Sequence, residues 1–580
     1  SNPLSELVPG AVINKRKTFR LLSNLFAEAE IINGLRFRMN FATDLTKSKK
    51  GDFRGRYTNI RRLGDPSASS NDDFTMAYTW ENILTYKKRI GEKHSIDFTG
   101  LYSLQTQQFE SSNTSVAGLP VEGFEYYNLG AASIINSVGS AYEKWAILSY
   151  MARINYSYDN RFLFTLTGRA DGSSKFAEGK KWGYFPSAAL AWNVINESFI
   201  SGNPLFSSLK ARISYGSTGN EGILPYQTNG LLSRTQYDFD GNSAFGYRPS
   251  SIRNSDLRWE TTSTFNLGVD FGLWNNRITG AIEVYQSKTT DLLLPKLLPI
   301  TSGFASIISN VGSKRNRGVE FSISTLNIAA KNAGDLEWTT DLNLFTNKEE
   351  IVELSQGKVD DIGNLRFIGQ PAVVYYDFVK EGIWQLGEES QAKQYGSIVG
   401  GIKVKDVNGN GVIDPADRQI LGSDVPKLIG GMTHRFEYKG FDLSVLTFSR
   451  FGSMIKSPFH GASRYLSGRV NQYNVDYWTK TNPTNAYPQP NANQEQPLYG
   501  STLSYIDGSF TKIRNINLGY NFSQTMAQKL KMQSLRVYVS VQNPFVFSPF
   551  TSKFNGIDPE FPTTSTPPVR TFLAGLNLKF

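Results

Sequence analysis

Cysteine is absent from the 580 residues. A disulfide framework, a thiol nucleophile and a Cys-ligated metal site are therefore excluded. Charge is sparse too: Asp, Glu, Lys and Arg make up 19%, below the roughly 25% usual for soluble domains. The three histidines (His94, His434, His460) are too scattered for a zinc site. No stretch approaches the ~18 consecutive apolar residues of a membrane helix. With a negative mean hydropathy, that excludes a helical membrane bundle. There is no Walker loop, HExxH, GxSxG or GxGxxG leading into a helix. No pair of carboxylates has a spacing that favours acid–base chemistry over solvated loops. The sequence therefore does not read as an enzyme, and no organic cofactor is expected.

What is present points elsewhere. Aromatic residues make up 13%, and there are 51 Gly. The net charge of +10 is dispersed beside turns (Lys87, Lys88, Arg89) and in polar loops (Arg61, Arg62). That pattern fits solvated surface and not a nucleic-acid partner. An apolar surface without an apolar run is the property of a transmembrane β-barrel, whose strands alternate lipid-facing and lumen-facing residues.

Alternation recurs from end to end, as expected of strands wet on one face. In the last segment Phe572, Ala574, Leu576, Leu578 and Phe580 fall on one face, and Thr571, Gly575, Asn577 and Lys579 on the other. Phe265, Leu267, Val269, Phe271 and Leu273 alternate with Thr264, Asn266, Gly268, Asp270 and Gly272. Val319, Phe321 and Ile323 alternate with Glu320, Ser322 and Ser324. Near the end, Arg536 and Tyr538 join Asn577 and Lys579 as expected lumen-facing residues. Residues 522–532 are expected to form a short turn of helix.

Short turns, such as Ile32-Asn33-Gly34, Tyr158-Asp159-Asn160, Trp274-Asn275-Asn276 and Lys439-Gly440, join one set of neighbouring strands. Long polar segments at 47–73, 110–142, 218–256, 350–427 and 453–507 join the other set. Outer-membrane barrels alternate short periplasmic turns with longer extracellular loops in this way. The fold class is therefore all-β, a transmembrane antiparallel barrel with about 17 strands across residues 1–580. The first strand (about 15–29) and the last both precede the short-turn side, so the number is odd. Bacterial single-chain barrels have even numbers, so at least one strand is expected upstream. Ser1-Asn2-Pro3-Leu4 carries no initiator Met or signal peptide, which suggests a mature or truncated piece.

Several strings stand out along the chain: Arg169-Ala170-Asp171-Gly172-Ser173-Ser174-Lys175-Phe176, Trp182-Gly183-Tyr184-Phe185-Pro186-Ser187 and Leu257-Arg258-Trp259-Glu260. Asn310-Val311-Gly312, Asn316-Arg317-Gly318-Val319-Glu320, Asp406-Val407-Asn408-Gly409-Asn410-Gly411, Phe510-Thr511-Lys512-Ile513-Arg514-Asn515 and the terminal Phe580 follow in order. Together, in this order, they resemble the SusC/RagA-like TonB-dependent outer-membrane transporters of the Bacteroidota. The resemblance covers essentially the whole chain. It implies about 22 strands around a plug, of which this chain would supply the last 17. The first strands, plug, N-terminal domain and signal peptide would lie outside it. Also implied are an outer-membrane location in a Gram-negative bacterium and import of oligosaccharide or peptide fragments. The expected partners are the TonB complex, acting through the N-terminal part, and a SusD-like surface lipoprotein lid. A passive porin or an adhesin without energy coupling is the alternative, and an upstream plug and TonB box would exclude it.

Three sets of residues are candidates for function. Asp406, Asn408, Asn410, Val412, Asp414 and Asp417 have the oxygen spacing of an EF-hand calcium loop, with Gly411 at its sixth position. Against that, its last position is Asp instead of Glu and no flanking helices are evident, so an Asn/Gly turn without metal is the competing reading. Tyr375, Tyr376, Trp384, Tyr465, Tyr473, Tyr477 and Trp478 cluster in long loops. They could stack on sugar rings or meet a partner lid, or simply pack the loops. Trp145, Trp192 and Trp274 fit interfacial girdles. Phe580 closes the final strand and is the candidate barrel-insertion signal.

Overall fold

The computed structural model describes residues 3–332, 334–457, 475–491, 494, 496–553, 557–562 and 568–580. Tyr465, Tyr473 and His460 lie outside the described residues. Seventeen strands belong to one large sheet, the number that the alternation predicts. Five long strands open the chain: Val12–Ile32, Leu35–Arg54, Ser67–Ile90, His94–Ala117 and Ile134–Tyr158. Phe162–Ser173, Trp182–Asn193, Phe206–Asn220, Glu260–Leu273, Ile278–Thr290 and Ser313–Ile328 follow. Glu337–Glu353, Leu428–Tyr438, Phe441–Phe451, Phe510–Asn521, Ser534–Phe547 and Thr571–Lys579 complete the set. Sequence neighbours pair antiparallel, from Val12↔Arg54 in the first pair to Gln542↔Thr571 in the last. Among the described residues α-helix is confined to short turns such as Glu389–Gln394 and Gln524–Lys529. The second of these falls within 522–532, where a helical turn is expected.

The short turns are tight because their residues adopt left-handed backbone. Trp274, Asn275 and Asn276 have φ of 50°, 55° and 60°, and Lys439-Gly440 has φ of 48° and 86°. Gly34 (φ 82°) is needed for a second reason, since a side chain there would collide with the Lys87 carbonyl. That carbonyl belongs to the next strand pair, where Lys87 N–H donates to Gly34 O (2.8 Å).

Two expected loops are corrected by the structure. Most of 47–73 and 110–142 is strand, leaving only 55–66 and 118–133 as connections. Residues such as Lys47, Ser48, Lys49 and Lys50 are polar on both faces, which resembles a loop by composition. The backbone nevertheless continues in register to Arg54↔Ser67, because both neighbouring strands supply hydrogen-bond partners. Cross-strand charge adds little at this exposure, as in the Lys49–Asp72 pair at 3.8 Å.

The chain divides into two compact units, one of residues 1–191, 214–263 and 289–311, the other of 192–213, 264–288 and 312–580. Buried core is found not along the strands but at their long-loop ends. In the first unit Phe53, Ala68, Val116, Leu119 and Tyr126 form one cluster. Phe176, Phe185, Ile223, Leu257 and Trp259 form another. The second cluster gathers residues of three strings singled out in the sequence. Trp259 Nε1 donates to Lys181 O (2.8 Å), and Asn310 Nδ2 donates to the carbonyls of Arg258 (2.8 Å) and Asp291 (3.0 Å). Those strings therefore clasp loops to strand ends.

Candidate functional site

The two faces of the strands differ as the alternation predicts. One is apolar and open, with Phe265, Leu267, Val269, Val539, Phe572 and Leu576 all exposed. The other carries cross-strand ion pairs. In the second unit Arg212 forks onto Asp270 (2.8 and 2.7 Å) and also reaches Glu283 (2.8 Å), which accepts from Asn266 (3.0 Å). Arg536 forks onto Asp442 (2.9 and 2.5 Å), and Asn521 donates to the same carboxylate (3.0 Å). Arg435 pairs with Asp341, which accepts from Ser324 (2.6 Å). The Tyr538 ring fills the space that a side chain at Gly575 would need. A bidentate Arg–carboxylate pair is geometrically specific, so this face is a charged, hydrogen-bonded, water-compatible wall. Arg536 and Tyr538 lie on it as expected. The alternation places Asp270 on the polar face, whereas Arg212, Glu283, Asp341 and Asp442 were missed by sequence reasoning. Their only signal is the alternate position each holds on its strand, because the partners are 58 to 94 residues apart.

Over the strand ends of this unit, the loop 354–427 folds together with the described residues 452–457, 475–491 and 496–509. Their core is Phe378, Ile383, Ile402, Val404, Trp478 and Leu503, with Val399, Ile413, Tyr487 and Tyr499 packed against it. Trp384 and Trp478, candidates for ligand stacking, are each only 3% exposed. Trp384 stacks with Tyr395 (6.1 Å between ring centroids) and lies under Lys403 Nζ (4.4 Å). Trp478 Nε1 donates to Gln385 Oε1 (2.9 Å). Both rings hold the loops together, the packing reading of these aromatics. Tyr375 meets Tyr505 (5.4 Å) and Tyr376 meets Phe367 (5.0 Å). Tyr477 alone among the described candidates presents an exposed ring.

Polar groups stitch the same layer. Lys380 Nζ donates to the carbonyls of Asn485 (2.7 Å) and Ala486 (3.0 Å), and burial lowers its pKa. Tyr505 O–H donates to Asp377 Oδ2 (3.0 Å); burial, then the Asp377 charge, pushes the phenol up. Burial pushes Tyr487 up to about 12. Where the strand end 346–349 meets these loops lies an open pocket of about 780 Å³, bordered by Arg317, Lys348, Glu349, Lys427 and Asp507 among apolar residues such as Val374 and Met454.

The six calcium candidates sit together in one tight loop. Asp406 accepts from the N–H groups of Gly409 (2.7 Å) and Gly411 (2.8 Å). Asn408 and Asn410 each accept from the N–H two residues on (3.0 and 2.9 Å). Asp417 is fully buried and accepts from Asp414 N (2.9 Å) and Val407 N (2.8 Å). The bond from Asp414, joined by those from Val407 and Asn408, holds its carboxyl below the usual range. Asp414 caps a short 3-10 turn through Ala416 N–H. The side-chain oxygens thus face the loop's own amides. Among the described residues, no three His, Asp or Glu side chains converge closely enough to hold a metal ion.

Phe580 follows the final strand and is exposed. Trp274 and Trp192 lie at short-turn ends, whereas Trp145 sits under Lys175 Nζ (5.0 Å), near the middle of its strand.

A family model described as "TonB dependent receptor-like, beta-barrel" matches residues 15–544. The TonB-dependent receptor P3 of Formosa agariphila is 31% identical over 605 residues, covering 98% of this chain and 59% of its own length. The TonB-dependent receptor SusC of Bacteroides thetaiotaomicron is 34% identical over 468 residues, covering 75% of this chain and 44% of its own. Among solved structures, the RagAB peptide transporter superposes with a TM-score of 0.84 at 23% identity, covering 98% of this chain and 63% of that one. This last likeness concerns the fold. The chain spans about three fifths of the Formosa relative's length.

Proposed function

The chain belongs to the TonB-dependent receptor family, whose SusC- and RagA-like members are β-barrels of the Gram-negative outer membrane, and from this premise we propose that it is the wall of an energy-coupled nutrient importer. Oligosaccharide or peptide fragments are its cargo, a SusD-like surface lipoprotein is its lid, and TonB acts through the N-terminal part of the protein. The observation that supports this reading best is the pairing of an ion-paired polar face with loops that carry a hydrophobic core of their own. A simple pore needs no such folded layer. A partner that must dock repeatedly needs a loop surface that keeps its shape. The open pocket at the strand ends offers charges of both signs beside apolar side chains, which suits a peptide better than a neutral glycan.

Uptake by intact cells is the direct test. Cells carrying the receptor should accumulate labelled oligopeptides or oligosaccharides, and inactivating TonB should abolish the accumulation. Uptake that persists without TonB would replace this reading with the passive porin. Affinity purification from the membrane should bring down one surface lipoprotein in a defined ratio.

Two smaller proposals accompany this one. The Asp406–Asp417 loop is proposed to take calcium on the strength of its oxygen spacing, although its oxygens already satisfy backbone amides. Phe580 is proposed as the insertion signal, supported by its place at the end of the last strand.

A further inference from the structure

We propose that the apolar wall of the second unit carries a phospholipid site at the short-turn end of its last strands. It would seat one hydrocarbon chain and hold an anionic headgroup at Lys439. The site is an open groove of about 470 Å³, walled by Phe441, Tyr520, Val537 and Leu576 on one side and Leu518, Val539 and Ala574 on the other, within two longer rows of apolar side chains. One row is Tyr438, Phe441, Tyr520, Val537 and Leu576, aligned across strands by direct register. The second is Leu443, Leu518, Val539 and Ala574, two residues further along each strand. Residues between the rows point to the opposite face, where Asp442 meets Arg536 and Tyr538 covers Gly575. The floor is therefore backbone.

Two residues of strand separate the rows by about 7 Å centre to centre, a furrow along which one extended hydrocarbon chain can lie. Ala574 is the smallest residue of the second row and leaves that side low. The alternation puts the whole groove on the face that meets lipid.

Depth and charge select the ligand. Phe441 is the first residue after the Lys439-Gly440 turn, so the groove lies within the first turns of strand from the membrane interface. An aromatic belt marks that level: Phe441 and Tyr520 are 4.7 Å apart between centroids, Tyr520 and Phe522 5.0 Å. The Lys439 ammonium lies 5.1 Å from the Tyr438 ring, which belongs to the lipid-facing row. A cation is thereby held on the outer side of the turn, at the height of a lipid phosphate whose chain fills the groove. A protein partner would have to reach this place through the inner leaflet, so a lipid is the occupant that the position favours.

The test is native mass spectrometry of the full-length receptor released from nanodiscs containing phosphatidylglycerol and phosphatidylcholine. The wild type should retain one phosphatidylglycerol preferentially. Ala574→Phe, which fills the groove, should remove that adduct, while Val269→Phe, on the same kind of surface elsewhere, should keep it. Lys439→Gln should cut the preference for phosphatidylglycerol by about fivefold, the weight of one lysine at an anionic lipid surface, and leave total lipid retention nearly unchanged. Equal retention by wild type and Ala574→Phe would overturn the proposal. So would a preference that Lys439→Gln leaves intact, or a loss that Val269→Phe reproduces.

Discussion

Replacing Lys512 with Met should unlatch the segment 557–562 from the sheet. Lys512 is 1% exposed, and its Nζ lies 2.5 Å from Asp558 and 2.6 Å from Glu560. Phe510 and Phe561 cover it, at 5.3 and 5.4 Å from their ring centroids. Arg514 holds the other oxygen of Glu560 at 2.6 Å. Met keeps the stem and its contacts with the rings but removes the charge. Breaking one side of a buried pair costs about 3–5 kcal/mol, because a desolvated charge is left uncompensated. Here Arg514 still neutralises Glu560, so the low end applies and Asp558 is the orphan. A loss of about 3 kcal/mol is roughly a 100-fold drop in local protection. Hydrogen exchange read by mass spectrometry on peptides spanning 510–515 and 557–562 would measure it. Adding Asp558→Asn should restore most of the protection, since the second change removes the orphan charge. Protection that is unchanged in Lys512→Met, or a double variant no better than the single, would refute the reasoning.

Acid should open the same clasp. Burial pushes Glu560 up, but the bonds from Arg514 and Lys512 outweigh it and leave its pKa below the ordinary 4.5. A carboxylate lowered by folding contributes its stability above the unfolded value and loses it as pH falls through the folded one. Protection of 557–562 should thus be flat at neutral pH and decline only below about 4.5. Trp478→Ala should cost the loop layer about 3–5 kcal/mol, whereas Tyr477→Ala should stay within about 0.5 kcal/mol; exchange in 354–427 distinguishes them. Gly34→Ala should destabilise the first strands, because its φ of 82° disfavours a side chain and the Lys87 carbonyl blocks one; the melting temperature of the receptor in detergent reports it. Terbium luminescence on the receptor should respond to the Asp406–Asp417 loop if it takes calcium, and Asp406→Ala should abolish the response; a wild-type signal that Asp406→Ala leaves unchanged would refute the site.

Much of the fold was legible because strand alternation is a local property. Phe265 to Leu273 and Phe572 to Phe580 announce a two-faced strand without reference to any partner, and left-handed turns such as Lys439-Gly440 mark the reversals. The boundaries were less legible: Lys47 to Lys50 look like a loop because nothing in a single strand shows that two neighbours will satisfy its backbone. The loop aromatics were legible as a cluster, but not as to which rings face inward. Trp478 and Tyr477 are adjacent in sequence, and only the packing against Phe378 and Ile402 buries the first and leaves the second open.

The sequence by itself determined the strand count, the alternating faces, the short-turn and long-connection sides and the family, since each follows from period-2 patterning, turn chemistry or short strings. Only the tertiary structure decided that Arg212 would fork onto Asp270, that Lys512 would be buried between Asp558 and Glu560, and that the loop tryptophans would pack a core. Those pairings join residues tens of positions apart. Register and loop folding choose them, and a charge or ring read along the chain carries no record of the partner it will meet.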